Sequence, residues 1–424
     1  MTATAESRKT YDLPVPDLSD EGLAEVTAEV ARQAADYDRT GEIPWRSLEV
    51  IHRAGLTTAT VAKQYGGPGL GIRDVARIVS AVGQGDPSVA LILANTVMTH
   101  AAQATVGGWH DVHYDDLLRR SLERPTFVNA IRAEPELGAP ARGGIPATTI
   151  TRTSDGWLLN GRKTFGTGGR GLAYQTVWVT AVEPGGDPER PRVGHITTPN
   201  DLPGISWLDT WDHIGLRASN THDVSYDNVE LPYAAFREIP RQPDGTYRDP
   251  AGTAGPGGFA HAALYVGVAR AARADFRDFT RARVPTSLGK PIAETERIQT
   301  VAGEIDLQIA TAETLLYGAL LRIEQGDQSI LPQLSVIKVA IGRAVVAATQ
   351  GAVAALGNPG LTRHNGLERH LRNALCVRVH PPQEDAALLA AGRRVLGNEP
   401  TAPTNTATAT PPTVTPSTQP KETR

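Results

Sequence analysis

Apolar residues recur every three to four positions from about residue 19 to residue 122. The pattern is clearest in LAEVTAEVARQAADYD and VARIVSAVGQ, where one face of each segment is apolar and helices are predicted. Asp86-Pro87-Ser88 precedes VALILANTVMTHAA as a helix entry, with the Asp86 carboxylate placed to accept the free N–H groups of the first turn. From about 125 to 240 the helical period is lost. Short alternating runs (ATTITRT, GWLLNG, TVWVTAV, THDVSYDNVEL) are separated by Gly, Pro, Asp and Asn, which predicts a small antiparallel β-domain. Helical spacing returns from about 256 to 397 in AALYVGVARAARADFRDFTRAR and LSVIKVAIGRAVVAATQGAVAAL. The predicted class is α+β: an N-terminal helical domain over 13–124, a middle antiparallel β-domain over 125–240 and a C-terminal helical bundle over 250–397. Residues 400–424 are rich in Thr, Pro and Ala without an apolar period, so a disordered tail is expected there.

Length and composition narrow the class without naming it. At 424 residues the chain exceeds one typical core. Its 40% apolar and 21% charged residues are ordinary for a globular protein, and a net charge of -4 provides no basic field for nucleic acid. Cys376 is the single cysteine, which excludes an intrachain disulfide and suits a reducing compartment. The opening MTATAESRKTYDLP lacks the apolar core of a secretory signal. No run of about 18 apolar residues occurs, since 344–356 is broken by Thr349 and Gln350. A cytoplasmic enzyme with no membrane or nucleic-acid partner is expected. No GxGxxG follows a strand and no P-loop is present. His364, His370 and His380 lack a recognised zinc spacing, so no metal is expected, and His370 reads as an exposed or capping residue.

Candidate chemistry sits in six segments. LERHLRNALCVRVHPPQ, residues 367–383, contains His380, the side chain there able to exchange a proton near neutral pH. GRKTFGTGG, residues 161–169, follows a strand, and its glycines let backbone amides approach a planar ring. AIRAEPELGAP (130–140), IGLRAS (214–219) with VSYDNVELP, and RARVPTSLGKPI (281–292) with Glu296, Ile298 and Gln299 complete the set, followed by ALGNPG at 355–360. Taken in chain order they resemble the acyl-CoA dehydrogenase superfamily over roughly residues 20 to 397.

The resemblance implies that fold, with a C-terminal four-helix bundle, and a flavin cofactor, FAD or FMN. Carried over, Phe165 and Thr167 would lie against the flavin ring, Phe165 keeping an apolar wall where the family has Trp. Arg281 or Arg283 would reach the flavin pyrophosphate of a neighbouring subunit, a task suited to a guanidinium. Gln299, Gly357 and Gly360 belong to the same cofactor set, which implies a homodimer or homotetramer. Arg217 and Ser219 read either as turn residues or as ligand contacts, Arg217 being a substrate-binding candidate. Ala133 stands where the family has Thr, and the Ser-Asp end of that loop is missing, which disturbs ordinary acyl-CoA recognition.

Both family positions for the catalytic carboxylate are empty: one holds Pro381 and the other Gly257. A His before a Pro resembles instead the flavin-dependent monooxygenase branch, similar to the dibenzothiophene monooxygenases. There, reduced flavin and O₂ oxygenate a substrate while a nearby group supplies a proton or hydrogen bond. His380 suits that role, its other reading being a buried, satisfied histidine. A Ser of that branch falls at Gly166 and a His near Thr96, leaving Thr96 as a substrate-side candidate. His100 and His261 are substitute candidates, helix packing being the other reading of His100. The expected function is monooxygenation of a small organic substrate with reduced flavin from a separate reductase. The alternatives are α,β-dehydrogenation of an acyl thioester with a displaced base, and non-catalytic flavin or acyl-group binding.

Overall fold

The computed structural model describes residues 9–136, 144–187, 190–243, 245–247 and 257–397. The 400–424 tail and the 137–140 end of the AIRAEPELGAP segment lie outside the described residues. Five N-terminal helices come first: α1 (Asp20–Thr40), α2 (Trp45–Arg53), α3 (Ile72–Gly85), α4 (Pro87–Thr105) and α5 (Asp111–Glu123). Ser19 caps α1 by accepting from the Gly22 N–H, and the left-handed Gly41 closes it. Asp86 caps α4 through the Ser88 N–H at 2.8 Å, with Pro87 in the first turn.

Among the described residues eight strands follow: β1 (Val128–Ile131), β2 (Thr149–Arg152), β3 (Trp157–Gly166), β4 (Tyr174–Val182), β5 (Arg192–Pro199), β6 (Ile205–Leu208), β7 (His222–Leu231) and β8 (Phe236–Glu238). They form one sheet in the order β6-β7-β3-β2-β4-β5-β8, with β1 also on β4. The sheet is mixed and not purely antiparallel. β1 pairs in parallel with Tyr174–Val177 of β4, and β2 pairs in parallel with its Thr180–Val182 end. Two short strands share one edge of a longer one, an arrangement that alternation within each strand does not encode.

The remaining helices are α6 (Gly257–Ala282), α7 (Glu296–Glu324), α8 (Leu334–Leu356), the short α9 (Asn358–Leu361), α10 (Leu367–Leu375) and α11 (Glu384–Val395). α6, α7, α8 and α10 pack together as the four-helix bundle, and α11 lies on α8. One helical stretch, Gln328–Leu356, is long and apolar enough to cross a membrane, with a mean hydropathy of 1.6. In this fold it runs between α6, α7, α10 and α11.

The N-terminal helices join the bundle where α3 crosses α6 at backbone contact. A methyl group added at Gly267 would sit 2.2 Å from the Ser80 carbonyl oxygen, and one at Gly83 would sit 2.5 Å from that of Leu264. Only glycine permits this approach, and it sets the position of the face of α6 that carries His261 and Tyr265. On the sheet side, Lys163 of β3 is fully buried and reaches Glu134 Oε1 at 2.7 Å. Glu134 also accepts from the Ala147 and Thr148 N–H groups, each at 2.9 Å, so one carboxylate fastens two connections to the sheet.

Removing one member of that pair strands a buried charge. Glu134→Ala is expected to lower stability by about 3–5 kcal/mol in a denaturant titration, while an apolar replacement of both partners recovers much of the loss. A loss below about 1 kcal/mol would show the pair to be solvated.

Candidate active site

Four elements converge on His380. α6 presents His261 and Tyr265 one turn apart on one face. α4 presents Asn95, α8 presents Lys338, and the segment after α10 carries His380 itself. Tyr265 is fully buried and its hydroxyl lies 2.6 Å from His380 Nδ1. Burial pushes the Tyr265 phenol well above its usual range, so it stays protonated at neutral pH. With its O–H donating to Nδ1, the neutral His380 ring carries its proton on Nε2. His261 lies beside it, with ring centres 5.2 Å apart, and its Nε2–H donates to Asn95 Oδ1 at 3.3 Å.

Electrostatics keep both imidazoles uncharged. Burial, then the neighbouring His261, Lys338 and His213, hold His380 well below the usual imidazole range. Burial, then Lys338, bring His261 down to about 4. Lys338 is buried, and its ammonium donates to the carbonyls of Val377, His380 and Pro382 at 2.9, 2.6 and 3.1 Å. Beyond His380, the His213 ring stacks on Trp211 at 4.5 Å, and Cys376 Sγ lies 3.7 Å from His213 Nδ1. Burial pushes that thiol up to about 12, so it stays a thiol at neutral pH.

A second cluster lies where β3 ends. Phe165 has a φ of 58° and remains 63% exposed. Thr167 is buried, its hydroxyl 3.0 Å from Thr221 Oγ1, which is 2.7 Å from Ser219 Oγ. Asn129 of β1 donates to the Thr167 carbonyl at 3.1 Å. An exposed aromatic ring held in a conformation that costs on the order of 1 kcal/mol, above a closed hydroxyl chain, fits a planar apolar ring system. The described residues here therefore fit a flavin.

Several expected contacts are placed otherwise. Thr96 is buried, its hydroxyl donating to Ile92 and Val128 carbonyls and accepting from the Val128 N–H. It joins α4 to β1, with its proton committed to those carbonyls. His100 is packed inside the N-terminal helices with Nδ1 2.9 Å from the Tyr114 hydroxyl, so it does not join His380. Arg217 donates to the carbonyls of Asp38 at 2.7 Å and His213 at 3.1 Å, which makes it a tie between a turn and α1. His370 is buried rather than exposed, with Nε2 3.0 Å from Asp275 Oδ2, and links α10 to α6.

Arg281, Arg283, Gln299 and Gly357 are exposed. They gather with the buried Gly360 at the opposite end of the bundle, where Arg297 donates to the Ala355 carbonyl at 3.0 Å. An open cleft of about 370 Å³ at that end is lined by Asp275, Asp278, Phe279, Pro359 and His364 among others. The α6 stretch from His261 to Arg281 spans about 30 Å and the α8 stretch from Lys338 to Gly357 about 28 Å, at ~1.5 Å per residue. Within one chain these residues and His380 do not form one site. Tyr265, Lys338 and Asn95 were missed by sequence reasoning. Tyr265 could have been found from its spacing after His261, and Lys338 as one of two charges, with Arg343, in an otherwise apolar helical run.

Three family models match in chain order: the acyl-CoA dehydrogenase N-terminal domain over 18–107, the middle domain over 131–229 and the C-terminal domain over 259–382. The chain belongs to the acyl-CoA dehydrogenase superfamily. That superfamily comprises flavin-dependent oxidoreductases. Among its relatives is the putative acyl-CoA dehydrogenase YdbM of Bacillus subtilis, 26% identical over 87% of this chain and 94% of the relative. Another is the amino sugar nitrososynthase DnmZ of Streptomyces peucetius, 27% identical over 80% and 83% of the two chains. The solved structure of KijD3 with FMN and a dTDP-amino-keto sugar superposes with a TM-score of 0.76 at 24% identity, covering 92% of this chain and 97% of that one.

The buried imidazoles make stability depend on acid. His100, with no charged partner, is brought down to about 4 by burial. Between pH 6.5 and about 4 the unfolded chain binds this proton and the fold does not, so stability falls as pH falls through that window. The loss is on the order of 3 kcal/mol for His100. His100→Phe is expected to flatten the acid limb of a pH–stability curve, and a limb of unchanged steepness would contradict it.

Proposed function

We propose that this chain is a flavin-dependent monooxygenase acting on a small organic substrate with O₂, its reduced flavin (FAD or FMN) supplied by a separate reductase. One observation carries this reading: where a dehydrogenase of this fold needs a carboxylate, Pro381 and Gly257 provide none, and the group in place is the neutral, Tyr265-bonded His380. α,β-Dehydrogenation needs a base able to take a carbon-bound proton. An imidazole pushed well below its usual range is a weak base, but its Nε2–H remains a donor. The amino sugar nitrososynthase among the relatives supports this reading.

When bound, reduced flavin supplies two electrons which, with O₂ and two protons, place one oxygen atom on the substrate and release the other as water. The chain's own residues do the rest. Phe165 and Thr167 seat the ring, with the hydroxyls of Thr221 and Ser219 fixing Thr167. His380 Nε2–H donates a hydrogen bond to the developing oxygen charge, and the Tyr265 O–H, held on Nδ1, keeps the imidazole proton on Nε2. His261, oriented by Asn95, flanks the substrate side. Arg281, Arg283, Gln299, Gly357 and Gly360 serve the phosphate end of the cofactor bound by a second copy, because they lie about 30 Å from His380 in their own chain. The enzyme is accordingly a homodimer or homotetramer, working in the cytoplasm.

With a flavin reductase, NADH and ¹⁸O₂, the holoenzyme should give products bearing one labelled oxygen from a panel of amines, amino sugars and aromatic substrates. His380→Ala should lower product per O₂ consumed by about 100-fold and raise hydrogen peroxide. Anaerobic bleaching of bound flavin by an acyl-CoA, without any labelled product in air, would replace this reading with dehydrogenation.

A further inference from the structure

We propose that Lys338 is a positioning residue for His380: its ammonium gathers the Val377, His380 and Pro382 carbonyls and thereby fixes the imidazole against Tyr265. The role of His380 in oxygenation rests on the function proposed above; the positioning itself does not. An ammonium has three N–H donors, and here all three go to main-chain acceptors of one six-residue stretch, at 2.9, 2.6 and 3.1 Å. These acceptors bracket His380, so the backbone that carries the ring is held on both sides. Lys338 is only 3% exposed, and no carboxylate takes any of its protons. The Glu384 carboxylate instead pairs with Arg343 at 2.7 Å. A buried ammonium that serves only backbone carbonyls costs several kcal/mol of desolvation, and the geometry it enforces is that of the His380 segment.

The clamp works only while Lys338 is charged, because a neutral amine has two N–H groups for three carbonyls. Burial brings this amine down to about 8, and Glu384 of α11 partly offsets that. The other titratable groups around it are His261 of α6 and His380, which its charge helps keep neutral, with Tyr265 and His213 beyond the His380 ring. α7, packed along α8, adds no charge that acts on the ammonium among the described residues. Above pH 8 the fold releases this proton before the unfolded chain does, so stability rises with pH through that window. A loss of activity there is therefore local loosening and not unfolding.

Lys338→Met and Lys338→Arg in the holoenzyme test the proposal. Nitrogen-15 spectra of the histidines should show His380 as the Nε2–H tautomer in the parent, and as a mixture titrating closer to pH 6.5 in Lys338→Met. Product per O₂ should fall in Lys338→Met toward the His380→Ala value, and the double variant should be no worse than His380→Ala alone. The parent should lose activity above pH 8, and Lys338→Arg, charged throughout, should keep it. An unchanged His380 tautomer and titration in Lys338→Met would overturn the positioning role. So would a double variant whose losses multiply. If Lys338→Met does not fold, the alkaline limb decides: its persistence in Lys338→Arg overturns the proposal. The spectra need no substrate, so a His380 signal that moves in an enzyme without oxygenase activity refutes the proposed function and leaves the clamp standing.

Discussion

Desolvation without a compensating carboxylate governs this site. Tyr265 is fully buried, His380 and His261 are half-buried beside it, and the nearest cation donates its protons to backbone carbonyls. Burial therefore pushes His380 and His261 down and the Tyr265 phenol and the Cys376 thiol up, each toward its uncharged form. A carboxylate in the same surroundings would hold an imidazole charged and reverse the chemistry. The glycine crossing of α3 on α6 and the Lys338 contacts both serve to keep this cluster closed, the first by placing the α6 face and the second by placing the His380 segment.

The fold as a whole is that of a superfamily whose members include acyl-CoA dehydrogenases and nitrososynthases. What separates such chemistries on one scaffold is a handful of side chains around the same position. Here the scaffold is intact: the hydroxyl chain from Thr167 to Ser219 is closed, and Phe165 is presented to the outside. The arginine and glycine set lies at the far end of the bundle, about 30 Å along α6 from His261.

Helix–sheet–helix order was legible because periods of 3.6 and 2 report which face of a segment is buried, and the Asp86 cap was legible because capping is local. The parallel pairing of β1 and β2 along one edge of β4 was not, because register depends on strands far apart in sequence. The same limit applied to side-chain roles. Thr96, His100, Arg217 and His370 are chemically suited to ligand contact or surface exposure, and each was spent on a tertiary bond: to β1, to Tyr114, to α1 and to Asp275.

The sequence by itself determined the family, the three-zone organisation and the loss of both carboxylate positions, because these are statements about which residue types stand where. Only the tertiary structure decided what surrounds His380. Tyr265, Asn95 and Lys338 come from three different helices, and nothing local marks them as neighbours of His380. Their effect on its proton follows from distance and exclusion of water, which exist only once the chain is packed.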